Sequence, residues 1–221
     1  MAYKLALFDM DGTLLKERTI FRIAEERGLE RELKEIMDSK KSSYEKTVEI
    51  AKLLKCMEKE EFMEIFRKIP LRENAGYVIK ELKRKGIKTA IVTNSYQMAA
   101  DDLKKRLNMD YAFANNLIIK NGHITGEIIL HNKNLKKRFD GCKIHSICKR
   151  DVLLTLCKKM GIKVNEAIAV GDGKIDICML REAGLGVAIG NDEEVIREAD
   201  IVVENLMEIL KYINGGDEHG H

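Results

Sequence analysis

Short apolar runs recur along the chain, and each run ends in polar or glycine residues. Continuous apolar runs of this length are typical of strands that are buried on both faces, as in a parallel sheet. The pattern therefore predicts strands at Lys4–Met10, Lys88–Thr93, Glu166–Gly171, Gly186–Ile189 and Asp200–Val203.

Apolar residues at helical spacing fill much of the chain between these runs. Asn74–Lys85 has this spacing and is followed by Gly86, a residue suited to the left-handed conformation that ends many helices. Arg150–Met160 repeats the design before Gly161. Strands that alternate with helices predict an α/β fold with a doubly wound, mainly parallel, Rossmann-like sheet.

Two stretches break the alternation. Residues 16–72 show helical spacing only, which predicts a small all-helical insertion after the first strand. Leu117–Ile129 contains Asn121-Gly122 between β-prone residues, the pattern of a β-hairpin with a two-residue turn. We therefore predict a discontinuous core of residues 1–15 and 73–214, interrupted by the insertion. The glycine-rich residues 215–221 are predicted to be a disordered tail.

The composition narrows the classes of function. The 221 residues include 39 Lys and Arg against 36 Asp and Glu, and aromatic residues make up 5% of the chain, with no Trp. This balance argues against a protein built mainly to coat nucleic acid, which needs a basic excess and stacking aromatics. No apolar run is long enough for a membrane span or a signal peptide, and the cysteines lack a CxxC pair. We predict a soluble cytoplasmic protein that binds neither nucleic acid nor a membrane.

Carboxylates follow two of the predicted strands. Asp9 and Asp11 follow the first strand two residues apart, so their side chains point to one side while Met10 points to the core. Asp172 and Asp176 follow the third predicted strand. Each pair alone has a simpler explanation, a solvated turn for the first and a helix cap for the second. Four aspartates at the ends of two buried strands instead predict an oxygen-ligand site for Mg²⁺.

Other residues suit a phosphate. Thr93 and Asn94 end the second predicted strand and precede a predicted helix, whose free N–H groups can bind an anion. Lys149 stands at the beginning of a helix, where a cation gains nothing from the helix dipole. Taken alone, Lys149 is an ordinary surface charge. Together with the aspartates, these residues predict a site for a phosphorylated ligand.

The order and spacing of these segments resemble a known superfamily. DMDGT (9–13), Thr93, Lys149 and GDGKID (171–176) resemble the four motifs of the haloacid dehalogenase superfamily. LNMDYAFANNLIIKNGHITGEI and VNEAIAVGDGKIDICMLREAG are similar to its phosphoserine phosphatase branch, in which a helical cap is inserted directly after the first motif. The predicted insertion occupies that place. The resemblance implies an Mg²⁺-dependent phosphomonoester hydrolase that acts on a small phosphorylated metabolite.

The resemblance also implies a role for each motif residue. Asp9 is expected to be the nucleophile that forms an aspartyl-phosphate, and Asp11 the general acid and base. Thr93 and the N–H of Asn94 are expected to hold phosphate oxygens, while Lys149 neutralises charge. The expected Mg²⁺ ligands are the carboxylate of Asp9, the backbone carbonyl of Asp11, Asp172, and Asp176 through water.

The chain departs from this branch where the substrate is selected. The branch has a glutamate seven residues after the second aspartate of the first motif, which binds the substrate's ammonium, and a cap arginine, which binds its carboxylate. Arg18 and Ala51 stand at those places here, and Tyr44 is a candidate for lining the pocket. We hypothesise a substrate richer in anionic groups than phosphoserine, bound by Arg18. A phosphotransferase with the same motifs and a non-catalytic regulatory or binding protein on this fold are the alternatives.

Overall fold

The parts of the chain that the computed structural model describes, residues 2–135 and 143–214, contain one seven-stranded sheet. Its strands are β1 (Leu5–Phe8), β2 (Lys88–Tyr96), β3 (Tyr111–Lys120), β4 (His123–Ile129), β5 (Ala167–Gly171), β6 (Leu185–Ile189) and β7 (Ile201–Val203). They lie in the order β4-β3-β2-β1-β5-β6-β7, and each neighbouring pair is parallel except β3 and β4. The predicted α/β fold with a mainly parallel sheet is confirmed.

Helices connect most of these strands. The four that follow β1 are α1 (Thr19–Arg27), α2 (Glu30–Asp38), α3 (Ser43–Leu53) and α4 (Lys59–Lys68). Those after them are α5 (Ala75–Arg84), α6 (Gln97–Arg106), α7 (Lys149–Met160), α8 (Ile177–Glu182), α9 (Glu193–Glu198) and α10 (Ile209–Asn214). Among the described residues, no helix combines the length and the apolarity needed to cross a membrane. The cytoplasmic location stays a prediction, and the predicted tail at 215–221 lies outside the described residues.

Side-chain alternation along the central strands divides the core between the two faces of the sheet. Phe8 of β1 belongs to the apolar cluster that includes α5 and α6, whereas Leu7 belongs to the cluster that includes α7 and α8. Both side chains have 0% exposure. The same alternation continues past the end of β1: Met10 joins the first cluster, and Asp9 points towards α7. The register of one buried strand therefore decides which face receives the carboxylate.

The insertion, residues 16–72, leaves and rejoins the sheet at one place. The N–H of Lys16 donates to the carbonyl of Pro70 (3.0 Å), and the N–H of Arg72 donates to the carbonyl of Leu14 (2.8 Å). Between these two crossings the structure has helices and no strand, as the helical spacing predicts. The exact division of the chain into two domains stays a prediction.

Strand β2 extends beyond its predicted end. The prediction that this strand stops at Thr93 is wrong, because β2 continues to Tyr96. β2 takes four steps from Val92 to Tyr96 while its partner β3 takes two steps from Phe113 to Asn115. The extra residues form a bulge, which moves polar side chains out of the ladder while the backbone stays extended.

The predicted hairpin is present and lies against the insertion. Asn121 and Gly122 have φ values of 49° and 79°, as a two-residue hairpin turn of this type requires. The N–H of Lys59, at the beginning of α4, donates to the carbonyl of Gly122 (2.8 Å). β3 begins earlier than predicted, at Tyr111, and its first half pairs in parallel with β2. One long strand therefore connects the sheet with the insertion.

Candidate active site

The carboxyl ends of β1 and β5 lie side by side at one edge of the sheet, because the two strands are parallel neighbours. The N–H of Asp9 donates to the carbonyl of Val170 (2.9 Å), which holds Asp9 beside the end of β5. One carboxylate oxygen from each of Asp9, Asp172 and Asp176 lies within 4.8 Å of the other two. The structure thus joins these three residues in one group, called here the acidic cluster.

Lys149, the first residue of α7, is buried against the acidic cluster. Its Nζ lies 2.5 Å from Oδ1 of Asp9 and 2.5 Å from Oδ1 of Asp176, and its side chain has 0% exposure. Burial disfavours the charge of a lysine, but Asp176 and Asp9 outweigh this effect and raise the pKa of Lys149. Lys149 therefore stays charged and neutralises part of the cluster.

The remaining negative charge has no counterpart within the cluster. Burial raises the pKa of Asp9 to about 7; Lys149 acts against this increase, and Asp172 adds to it. Burial likewise raises the pKa of Asp176 to about 6, and burial followed by repulsion from Asp176 raises the pKa of Asp172. A second cation would offset the cost of holding three carboxylates together in a buried place. The oxygen donors, their spacing and the unbalanced charge fit a divalent metal ion.

Two glycines allow the backbone to approach these carboxylates. A Cβ at Gly171 would lie 2.4 Å from Cγ of Asp176, and a Cβ at Gly12 would lie 2.3 Å from Oδ2 of Asp172. The N–H groups of Asp172 and Gly173 donate to Oδ2 of Asp176, at 3.2 and 3.0 Å. Asp176 is the N-cap residue of α8, and its carboxylate binds the loop. The loop after β5 is therefore wrapped around this carboxylate.

Asp11 lines the cavity that the acidic cluster faces. Its Oδ1 accepts hydrogen bonds from Oγ1 (2.5 Å) and from the N–H (3.0 Å) of Thr19, the first residue of α1. Burial raises the pKa of Asp11, although the hydrogen bonds from Thr19 act in the opposite direction. A carboxyl group that is held by one oxygen and retains a proton more readily than usual is suited to general acid and base chemistry.

The two phosphate candidates at the end of β2 are placed differently. Asn94 lines the same cavity as Asp9 and Asp11. Thr93 is fully buried, and its Oγ1 accepts a hydrogen bond from the N–H of Ser95 (3.1 Å). Ser95, and not Thr93, is among the residues that line the cavity. The phosphate contact of Thr93 stays a prediction.

A cavity of about 120 Å³, called here the site cavity, lies between the acidic cluster and the insertion. Arg18 lines it and has its guanidinium carbon 5.8 Å from the ring centre of Phe21. Tyr44 is half-buried on α3 and is not among the lining residues, and Ala51 is fully buried. Of the residues that the sequence pointed to for substrate selection, the structure brings Arg18 to the cavity.

Hydrogen bonds also reveal residues that the sequence analysis did not single out. Oγ1 of Thr13 donates to Oδ1 of Asp172 (2.8 Å). Asn115, buried on β3, donates from Nδ2 to the carbonyl of Asn94 (2.8 Å) and to Oγ of Ser146 (3.0 Å). Thr13 belongs to the DMDGT segment, which is a signal that could have identified it. Nothing in the local pattern around Asn115 distinguishes it from any other strand residue.

Ser146 continues this path to the insertion. Its Oγ lies 3.4 Å from Oγ1 of Thr47, and Nδ1 of the neighbouring His145 lies 3.0 Å from Oγ of Ser43. Thr47 and Ser43 both belong to α3. Polar contacts therefore join α3 to the segment that positions Asn94.

The sequence of this chain also matches a known protein family. A profile described as haloacid dehalogenase-like hydrolase matches residues 3–184. The chain is a haloacid dehalogenase-like hydrolase. The first and fourth motifs of this hydrolase follow β1 and β5 and line the site cavity, Lys149 at the beginning of α7 contacts Asp9, and Thr93 lies buried within β2.

Relatives of the hydrolase are known both as sequences and as structures. It is 37% identical over 216 residues to the phosphoserine phosphatase of Methanocaldococcus jannaschii, a match that covers 95% of this chain and 97% of that protein. It is 30% identical over 220 residues to the phosphoserine phosphatase of Lactococcus lactis, with 95% of both chains covered. A substrate-bound phosphoserine phosphatase superposes with a TM-score of 0.83 at 34% identity, covering 97% of this chain and 100% of that one. A phospho-aspartyl intermediate analogue of phosphoserine phosphatase superposes with a TM-score of 0.82 at 35% identity and the same coverage.

These similarities confirm the class of enzyme predicted from the motifs. The hydrolase is a phosphatase, with a cluster of aspartates that fits a metal ion. A catalytically idle protein on this fold is not supported, because the relatives are phosphatases and the acidic cluster and the buried lysine are present in one site.

Proposed function

We propose that this phosphatase depends on Mg²⁺ and that Asp9 attacks the phosphorus of a small phosphorylated metabolite. The observation that carries the proposal is the acidic cluster, in which Asp9 lies within 4.8 Å of two other carboxylates and 2.5 Å from Lys149. A carboxylate can approach an anionic ester only where positive charge is concentrated. The similarity to a phospho-aspartyl intermediate analogue supports the same route.

Mg²⁺ is the metal ion that suits this cluster. Carboxylate and carbonyl oxygens are hard ligands, which Mg²⁺ prefers. Asp9, Asp172 and the backbone carbonyl of Asp11 are the proposed direct ligands, with Asp176 acting through water. When bound, the ion withdraws charge from the phosphoryl oxygens and offsets the charge of the buried carboxylates.

The reaction needs two carboxyl groups with different tasks. In the first half, a carboxylate oxygen of Asp9 forms a bond to phosphorus while the ester P–O bond breaks. The electron pair of that bond goes to the leaving oxygen, which takes a proton from Asp11. In the second half, Asp11 takes a proton from the water that attacks phosphorus, so that phosphate is released and the carboxylate of Asp9 is restored. The hydrogen bonds of Thr19 to one oxygen of Asp11 keep this residue in place for both transfers.

Lys149 and the end of β2 support the phosphoryl group. The contacts of Lys149 with Asp9 and Asp176 hold the nucleophile in one orientation and keep a positive charge beside it. The N–H of Asn94 and the hydroxyl of Thr93 are the proposed donors to the phosphate oxygens. The hydrogen bond from Asn115 to the carbonyl of Asn94 supports this role, because it holds a peptide group inside the bulge of β2.

The insertion is proposed to act as a cap over the site. Its α1–α3 residues form the wall of the site cavity opposite the acidic cluster, and two short crossings join it to the core. Closure of such a cap limits the access of water until the covalent intermediate has formed. Phosphoserine is the reference substrate, since relatives at 37% and 30% identity are phosphoserine phosphatases.

Phosphate release from amino-acid, sugar and nucleotide phosphomonoesters, with and without Mg²⁺, tests the proposal. We expect release that requires Mg²⁺ and that falls by about 10³-fold or more in Asp9→Asn, since no second residue replaces a missing nucleophile. The matched control is Asp101→Asn on α6, whose carboxylate pairs with Lys104 away from the site.

Undiminished release by Asp9→Asn, or no Mg²⁺-dependent release from any of these esters, overturns the proposal. Adding an alcohol to the same assay and measuring its phosphorylation separates hydrolysis from phosphoryl transfer.

A further inference from the structure

The wall that the insertion contributes to the site carries positive charges and no negative charge. The site cavity shares eight lining residues with a larger space of about 1350 Å³, and the residues of the insertion that line the two spaces include no Asp or Glu. Five of them are cations: Lys16, Arg18, Lys41, Lys46 and Arg72. The whole chain has a formal net charge of only +3, so this concentration is local.

Several of these cations already have partners. Arg72 donates to the carbonyls of Gly12 and Thr13, and Nζ of Lys46 donates to the carbonyl of Met37 (2.5 Å). Lys41 lies 3.4 Å from the carboxylate of Glu49. These contacts orient the side chains, but the carbonyl oxygens leave the positive charges of Arg72 and Lys46 in place.

Arg18 is the cation that reaches the site cavity itself. It lines both spaces, and none of the ion pairs among residues 2–135 and 143–214 includes it. The ring of Phe21 lies against its guanidinium at 5.8 Å, which holds the group without neutralising it. Burial raises the pKa of Asp11 and of Asp172, and the charge of Arg18 acts against this increase, so its field extends to both carboxylates.

Apart from Thr47, the rest of this wall is apolar. Ile20, Phe21, Met37 and Ile50 line the site cavity beside Arg18, and Ile175 lines it from the loop after β5. The carboxylates of the cavity belong to Asp11 and the acidic cluster, which already have hydrogen-bond donors or a lysine. The wall that the insertion contributes offers a substrate ammonium no carboxylate, and the charge of Arg18 repels it. A substrate carboxylate or phosphate would meet Arg18.

We infer that this phosphatase selects small phosphomonoesters whose leaving group carries a carboxylate or a second phosphate and no ammonium, with Arg18 binding that anionic group. The inference rests on the proposed function, since it concerns the leaving group of the same reaction. The anionic group gains a charge-assisted hydrogen bond from the guanidinium, and the apolar residues surround the carbon chain between the two ends.

Three phosphate esters of nearly equal size separate the effect of a substrate carboxylate from that of a substrate ammonium. O-phosphoserine carries both an ammonium and a carboxylate, 3-phosphonooxypropanoate lacks the ammonium, and O-phosphoethanolamine lacks the carboxylate. For the wild-type enzyme with Mg²⁺ we expect kcat/KM to be highest for 3-phosphonooxypropanoate and about 10- to 100-fold lower for O-phosphoethanolamine, as one charge-assisted hydrogen bond implies. O-phosphoserine should lie between them. Propane-1,3-diyl bisphosphate, in a fourth arm, shows whether a second phosphate replaces the carboxylate.

Variants of Arg18 test the assignment. Arg18→Gln should reduce the ratio of kcat/KM for 3-phosphonooxypropanoate over O-phosphoethanolamine by about 10-fold, and Arg18→Glu should invert it. The matched control is Arg22→Gln, one turn further along α1, because Arg22 pairs with Glu25 and Glu26 and does not line either space.

Equal kcat/KM for the three esters, a preference for O-phosphoethanolamine, or an unchanged ratio in Arg18→Glu overturns the inference while the proposed function stands. If none of the esters is hydrolysed with Mg²⁺, the proposed function fails first, and the inference fails with it.

Discussion

The two sides of the site cavity are held in place in different ways. On the core side, Lys149 and Asp176 have side chains with 0% exposure, and the loop after β5 donates two backbone N–H groups to Asp176. On the side of the insertion, Arg18 is exposed and is supported by the ring of Phe21. The core side depends on sheet register, whereas the opposite wall depends on helices that rejoin the sheet through two short crossings.

This difference separates the reaction from the choice of substrate. Groups that must be placed within a fraction of an ångström lie at strand ends, where hydrogen-bonded neighbours leave little freedom. The residues proposed to contact the leaving group lie on the insertion, whose surface residues can change without disturbing the sheet. Substitutions on the core side should therefore affect all substrates, and substitutions on the wall should change their ranking.

The largest expected effect is at Lys149. Lys149→Met keeps the length of the side chain but leaves Asp9 and Asp176 without their shared cation. We expect kcat to fall by about 10³-fold, the size of effect seen when a group that stabilises developing charge is removed. The free energy of unfolding should also fall by about 3–5 kcal/mol, because buried charges lose their partner.

Steady-state kinetics and urea unfolding measure both effects. Lys158→Met, at an exposed position on the same helix, is the control and should change stability by less than about 0.5 kcal/mol. More than a tenth of wild-type kcat in Lys149→Met would contradict the role assigned to this lysine.

Gly171 is the next most sensitive position on the core side. In Gly171→Ala the new Cβ would lie 2.4 Å from Cγ of Asp176, so this carboxylate must move away from Lys149. A displacement of this size should lower kcat/KM by about 100-fold for every substrate. The control is Gly76→Ala on α5, where the atom closest to the new Cβ is 3.9 Å away. This variant should retain full activity and gain up to about 1 kcal/mol of stability. Similar activity of the two variants would show that the close approach at Gly171 is unimportant.

Breaking the polar contacts that connect the two sides should have a smaller effect on activity. Asn115→Ala removes the donors to the carbonyl of Asn94 and to Ser146, and through Ser146 it weakens the link to α3. We expect kcat/KM to fall by about 10-fold and inhibition by inorganic phosphate to weaken, because losing the donors to a buried polar group costs roughly 1–3 kcal/mol. Asn116→Ala, at the exposed neighbouring position, is the control. An unchanged inhibition constant for phosphate would limit Asn115 to a structural role.

The smallest expected effect is on how the free energy of unfolding depends on pH in the absence of metal. The pKa of Asp9 is raised to about 7 and that of Asp176 to about 6, above the ordinary value of 3.8, so the folded protein binds more protons than the unfolded chain between these values. Their contribution to the free energy of unfolding is therefore present at acidic pH and is lost as pH rises from about 4 to about 7. In the presence of a chelator, Asp9→Asn should be more stable than wild type at pH 7.5 by about 1–2 kcal/mol and should lose this advantage towards pH 4.

Urea unfolding at several pH values measures the free energy of unfolding of both proteins. The titration of distant groups is the same in the two proteins and cancels in the difference. Saturating Mg²⁺ should reverse the order at pH 7.5, since the complete cluster of the wild type is the proposed site for the ion. A stability difference that is independent of pH would contradict the raised pKa of Asp9.

Much of the core side could be predicted because it depends on local pattern. The first apolar run and the spacing of Asp9 and Asp11 are enough to place both carboxylates on one side, since a strand alternates its faces regardless of what surrounds it. Asn121-Gly122 was enough to predict the hairpin, because only a few residue types tolerate positive φ at both positions. The bulge of β2 escaped prediction, since it depends on the register between β2 and β3.

The sequence by itself determined the alternation of strands and helices, the ends of the strands that carry the aspartates, and the presence of Arg18 where the branch has a glutamate. Only the tertiary structure decided that Lys149 bridges Asp9 and Asp176, which are 140 and 27 residues away in the chain. It also decided that Thr93 is buried while Arg18 faces the cavity. The physical reason is range: side-chain direction follows from neighbouring residues, whereas burial, pKa and net local charge are sums over groups that only folding brings together.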